Sequence, residues 1–173
     1  MFYWRITKYN PNHRRTDGSY SRHEWTSASD IGREFQDGVL TDEEYWRVET
    51  AYVQTIADFF VESKCPGLKL RDLEFNDMTI LLNPNLPQVC LEPSTLKSGD
   101  IINDSSQLQE ICRLILRDAI WCQIECDGCM RLDFDFDFYM FIGTQKQCSN
   151  AINSAVRRGL FVEPYQLKLD LYD

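Results

Sequence analysis

Residues 130–142, MRLDFDFDFYMFI, alternate without a break. Met130, Leu132, Phe134, Phe136, Phe138, Met140 and Ile142 take one parity, and Arg131, Asp133, Asp135, Asp137 and Tyr139 take the other. Successive side chains of a strand point to opposite faces. A chain with this pattern must build a sheet that has one face on a core and one toward water. The segment reads as one long strand.

The residues before it set the pairing. Residues 119–125 read as an apolar strand, and Asp127-Gly128 reads as a turn. A two-residue Asp-Gly loop would set Ile124 beside Arg131 and Cys122 beside Asp133, mixing apolar and charged groups on both faces. A three-residue loop, Cys126-Asp127-Gly128, sets Ile120, Cys122 and Ile124 opposite Phe134, Leu132 and Met130. It also puts Gly128 at the left-handed position of a bulged turn. This second register is the expected one.

Helices are expected around this hairpin. Thr41 and Glu44 have capping-box spacing, and Leu40 can pack on Tyr45. Tyr45, Val48, Tyr52, Ile56 and Phe59 then share a helix face until Cys65-Pro66-Gly67 stops the helix. Asp104 and Gln107 cap a second helix with the stripe Leu108, Ile111, Cys112, Ile115, Leu116 and Ala119. A third helix is expected over 146–158, with Gly159 as its C-cap. A short fourth is expected from Ser29-Asp30 to Phe35.

Further strands are expected at 2–9, 19–26, 68–75 and 160–163. The first two would form an amino-terminal hairpin. Asn76-Asp77 turns the chain into 78–82, and a long connection over 83–103 holds a short strand near Val89 to Leu91. The tail QLKLDLYD alternates as an edge strand does. The expected fold class is α/β (α+β): one domain over 1–173 with a mainly antiparallel sheet and about four helices. It ends in a β-hairpin–helix–strand unit.

Charge narrows the partners. Lys and Arg number 18 and Asp and Glu 27, a formal charge of -9. Such a surface repels phosphate backbones and anionic lipid, so neither nucleic acid nor membrane is expected as a partner. It attracts a basic protein. Met1-Phe2-Tyr3-Trp4-Arg5 lacks the basic-then-apolar order of a secretory signal, and no apolar run nears the roughly 20 residues that span a bilayer. The seven cysteines are therefore expected as free thiols in a reducing cytosol.

Cys126-x-x-Cys129 is half of a zinc site by spacing, but no second such pair exists. No metal or cofactor is expected. The phosphate-cradling, zinc-protease, nucleophile-elbow and dinucleotide templates are missing, and only His13 and His23 could serve as histidine bases. Asp133, Asp135 and Asp137 would project together at about 6.7 Å intervals on one strand. Such a row must meet water, cations or a basic partner. Glu125, Asp127, Asp72, Glu74 and Asp77 would extend its field. The aromatic group Tyr3, Trp4, Tyr9, Tyr20 and Trp25 is either core or a docking surface.

With its acidic balance, the strand RLDFDFDFYMF and no catalytic template, the chain resembles bacterial toxin-immunity proteins of the contact-dependent growth inhibition type. The phrases YWRITKYNP and WTSASDIG resemble a family of bacterial proteins without pointing to a role. The resemblance implies a cytoplasmic inhibitor. It would be a monomer that forms a heterodimer with a basic toxin domain, such as a nuclease. The eight acidic residues above would be its partner-binding set. A carboxylate-based, metal-dependent hydrolase is the alternative.

Overall fold

The computed structural model describes residues 1–135 and 137–166. A seven-stranded antiparallel sheet carries three α-helices. The strands are β1 (Phe2–Thr7), β4 (Leu68–Phe75), β5 (Ile101–Ile102), β6 (Ile120–Cys126), β7 (Met130–Asp135), β8 (Tyr139–Thr144) and β9 (Phe161–Pro164). Their order is β5-β4-β6-β7-β8-β1-β9. A separate ribbon joins β2 (Glu34–Phe35) to β3 (Gly38–Val39). The helices are α1 (Asp42–Ser63), α2 (Ser105–Leu116) and α3 (Ser149–Arg157). Among the described residues, no helix is long and apolar enough to cross a membrane.

Helix α1 starts where Thr41 Oγ1 accepts from the Glu44 amide at 3.1 Å. It ends where Lys64 turns left-handed at φ 59°. Tyr45, Tyr52, Ile56 and Phe59 on it are fully buried and join Leu70, Ile124, Leu132, Met140 and Ile142 of the sheet in one core. Helices α2 and α3 flank α1. Glu62 of α1 accepts from the Asn150 and Ala151 amides at 3.2 and 2.7 Å, fixing the start of α3. A carboxylate is favoured there because the first amides of a helix have no partner of their own.

The expected long strand over 130–142 is two strands. β7 pairs antiparallel with β8, from Met130↔Thr144 to Asp135↔Tyr139. The turn contains Asp137 and Phe138, both left-handed at φ 64° and 61°. Asp tolerates this region but Phe rarely enters it, and the unbroken alternation masks the turn. Phe138 is held in this costly conformation by its surroundings. Its ring meets Trp25, Tyr45 and Tyr52 at centroid distances of 5.0, 6.0 and 5.4 Å. Its carbonyl accepts from Tyr52 Oη at 2.7 Å. Because Phe134 pairs with Met140, even residues keep facing the core across the turn. The parity was legible although the turn was not.

The β6–β7 register also differs. Cys126 pairs with Met130 and Ile124 with Leu132, so the loop is Asp127-Gly128-Cys129. The slip from the expected pairing is two residues, which preserves the faces. Gly128 is left-handed at φ 68°.

Elsewhere three expected elements give way to turns. Residues 19–26 are not a strand; one isolated bridge, Arg14↔Tyr20, closes that loop. The helix from Ser29 shrinks to a single 3-10 turn, Ala28–Asp30: Ser27 and Asp30 form a capping box that starts it, and Ile31, extended at φ -55° and ψ 130°, ends it. Residues 79–82 form a 3-10 turn, and Ile101–Ile102 supplies the strand in the long connection in place of Val89 to Leu91. Among the described residues, three α-helices stand in place of four. The final unit is a three-stranded meander (β6 to β8) followed by α3 and β9, where a single hairpin was expected. The tail beyond 166 lies outside the described residues.

Candidate protein-docking face

All three helices pack on the core side of the sheet. Its other face is built by the alternate residues. Glu74 of β4 stands opposite Trp121 of β6, and Lys69 opposite Glu125. Glu125 stands opposite Arg131, Asp133 opposite Phe141, and Asp135 opposite Tyr139. Phe141 and Gly143 face Arg5 and Tyr3 of β1, and Arg5 faces Glu163 of β9.

Aromatic rings form a ladder along this face. Centroid separations are 5.3 Å for Tyr20–Tyr9, 5.6 Å for Tyr9–Tyr139, 6.4 Å for Tyr139–Phe141 and 4.7 Å for Phe141–Tyr165. Tyr20, Tyr139, Phe141 and Tyr165 are half-buried. Tyr3 lies over Gly143, where an added Cβ would sit 2.5 Å from the ring edge. Only glycine leaves room for the ring there. Trp121, 39% exposed, marks the far side.

The charged groups divide into neutralised and displayed sets. Arg131 Nε donates to Asp133 Oδ2 at 2.6 Å, and this pairing raises the guanidinium pKa. Arg71 Nε lies 2.5 Å from Glu125 Oε1 as an ion pair outside hydrogen-bond geometry. Arg14 grips both oxygens of Glu163 at 3.0 and 2.7 Å, and Arg5 adds a contact at 3.1 Å. Hydrogen bonds from Arg14 hold the Glu163 carboxyl below its usual range, against the effect of its partial burial. The middle of the face is therefore close to electrically balanced.

The expected row of three aspartates is not formed. Asp133 and Asp135 are on β7, whereas Asp137 belongs to the turn. Asp133 is paired within its own strand. Asp135 and Asp137 are exposed. Asp127 projects from the opposite turn with its side chain 90% exposed and Arg71 at 3.9 Å. Asp72 is exposed at a bulge in β4, left-handed at φ 51°. Asp77 is exposed past the end of β4, where Thr79 hydrogen bonds hold its carboxyl below the usual range. Of the eight residues, Glu125 and Asp133 are half-buried and ion-paired, whereas the other six are exposed. Asp135 and Asp137 stand at one end of β7 and Asp127 at the other, whereas Asp77 shares a cleft with Arg117 and Asp118 at the end of α2.

Sequence reasoning missed Trp121, Phe141, Tyr165, Arg5 and Glu163 as members of this face. Parity would have found Trp121 and Phe141, because both alternate with core residues. The Arg14–Glu163 grip had no sequence signal, since it links a loop to a strand across the whole chain. Among the described residues no three carboxylates bring their oxygens within 4.8 Å of one another, so the geometry lends a carboxylate-held metal no support. No protein-family model, curated protein or solved structure matches the chain.

Proposed function

We propose that the protein is a cytoplasmic inhibitor of the immunity type, which binds and neutralises a basic protein domain through the helix-free face of its sheet. The observation that carries this reading is the combination on one face of half-exposed aromatics with a rim of exposed carboxylates. Aromatic side chains dominate the energy of protein interfaces, and charge at the rim chiefly sets the rate of encounter. Tyr3, Phe141, Tyr165 and Trp121 would supply the contact area. Asp127, Asp135, Asp137, Asp72, Glu74 and Asp77 would steer a cationic partner, with Asp133 and Glu125 held to Arg131 and Arg71 until a partner's cations compete for them.

The test is co-expression with the product of the neighbouring reading frame, followed by stopped-flow association across a salt series. A rate that falls steeply with ionic strength is expected. Replacing Asp127, Asp135 and Asp137 together by Asn should slow association about tenfold while leaving the melting temperature unchanged. A tight complex whose rate ignores both salt and these substitutions would remove the electrostatic mechanism. A complex that leaves the partner's activity intact would remove the inhibitor reading.

A further inference from the structure

The fold gathers three thiols that the sequence keeps apart. Cys65 follows the C-terminus of α1, Cys126 closes β6, and Cys129 ends the turn into β7. Their Sγ atoms all lie within 4.8 Å of one another. Around a tetrahedral cation with metal–sulfur bonds of about 2.3 Å, sulfurs stand roughly 3.8 Å apart. Closing the gap needs less than an ångström per side chain, within the reach of small rotations about the Cα–Cβ bonds.

The backbone around the thiols is fixed. The Cys129 amide donates to the Cys126 carbonyl at 2.9 Å, so the two residues flank one tight turn whose Gly128 takes the left-handed position. Both side chains thus start from the same end of the hairpin. The Cys65 amide donates to Ser63 Oγ at 3.2 Å, and the Cys65 thiol donates to the Gly67 carbonyl at 3.4 Å. Gly67 is itself closed in by Ile101, which ties this corner to the β5 edge of the sheet. Cys65 is buried, whereas Cys126 and Cys129 are half-buried. One ligand is therefore anchored in the core and two are open enough to admit an ion.

The geometry points to a binding site for a thiophilic divalent cation of the Zn²⁺ class, held by the sulfurs of Cys65, Cys126 and Cys129 with water as the fourth donor. On binding, each thiol gives its proton to solvent as its metal–sulfur bond forms, so three protons leave and the site carries one net negative charge. The ion would tie the end of α1 to the β6–β7 hairpin. That joins the helical layer to the strand pair bearing Glu125, Asp127 and Asp133. The inference is independent of the inhibitor reading, since it concerns a corner of the fold and not the docking face.

The experiment is titration of the reduced full chain with Cd²⁺ alone, read by the ultraviolet thiolate-to-metal band. One Cd²⁺ per chain with a three-thiolate band is expected. Cys126→Ser and Cys129→Ser should each weaken binding on the order of a hundredfold, a scale that even outer-shell changes reach. Circular dichroism should show both variants folded. Cys148→Ser and Cys90→Ser should keep the band, since neither sulfur belongs to the group. No band at stoichiometric Cd²⁺ would overturn the site. A band that survives loss of Cys126, or one lost with Cys148, would overturn the ligand assignment.

Discussion

The same chemical pair, carboxylate and guanidinium, occurs in two very different places. Between α1 and α2, Glu49 is wholly buried. It accepts from Arg117 Nε and Nη2 at 2.6 and 2.9 Å and from Arg113 Nη1 at 2.7 Å. Arg117 Nη1 also donates to the Pro87 carbonyl at 2.9 Å, pinning the long connection to the helices. On the sheet face, Arg131–Asp133 and Arg71–Glu125 are half-exposed. The buried cluster has every oxygen of Glu49 occupied and no route to another partner, so it serves the fold. The surface pairs are screened by water and can be exchanged for a partner's charges at little cost to the fold. Burial, and not residue type, separates a structural ion pair from one available for binding.

Glu49→Gln should produce the largest effect. It leaves two guanidinium groups facing a neutral amide in the interior, where removing one partner of a buried pair costs about 3–5 kcal/mol. Urea denaturation would show it; a loss below about 1 kcal/mol would mean the cluster is solvated and the contrast false.

Lys8 sharpens the comparison as an intermediate case. Its side chain is 7% exposed, 3.6 Å from Glu24, and its ammonium lies 4.1 Å from the centroids of both Tyr9 and Trp25. Burial pulls its pKa from 10.5 down to about 8, with Glu24 opposing that shift. The folded state therefore holds the proton less tightly than the unfolded chain. Between pH 8 and 10.5 the unfolded chain binds more protons, so this group makes stability rise with pH across that window. Charge burial costs about 3 kcal/mol by that shift, and the ring contacts return roughly 1–2 kcal/mol. Lys8→Met should accordingly stabilise the protein by about 1–2 kcal/mol at pH 7, with the gain shrinking toward pH 10. Thermal melts at several pH values would check this, and a variant less stable at pH 7 would show that the ammonium is well compensated.

Asp133→Asn should have the smallest effect, within about 1 kcal/mol, and less at high salt. A larger loss in the same denaturation assay would place Asp133 among the structural pairs and out of the docking face.

Much of this was legible in the chain. The caps at Thr41 and Asp104 located α1 and α2, and the alternation put Met130, Leu132, Phe134, Met140 and Ile142 on the core face, where they lie. The turn at Asp137-Phe138 was not legible, because no glycine or proline marks it and a three-residue loop leaves the parity intact. Of the candidate face, the inward and outward sorting was readable, but the neutralisation of Asp133 and Glu125 was not. Glu49 gave a faint signal: it stands four residues after Tyr45 beside an apolar stripe, a place where a carboxylate needs a partner. Cys65 gave none.

Sequence alone determined which residues face the core, because side-chain periodicity is a local property of the backbone and is repeated at every step of a strand or helix. Tertiary structure decided where the strand reverses, which acids are neutralised and which thiols meet. Those outcomes depend on groups brought together from distant parts of the chain, as when the aromatic pocket of Trp25, Tyr45 and Tyr52 captures Phe138 and stabilises a backbone conformation that its own sequence would not choose.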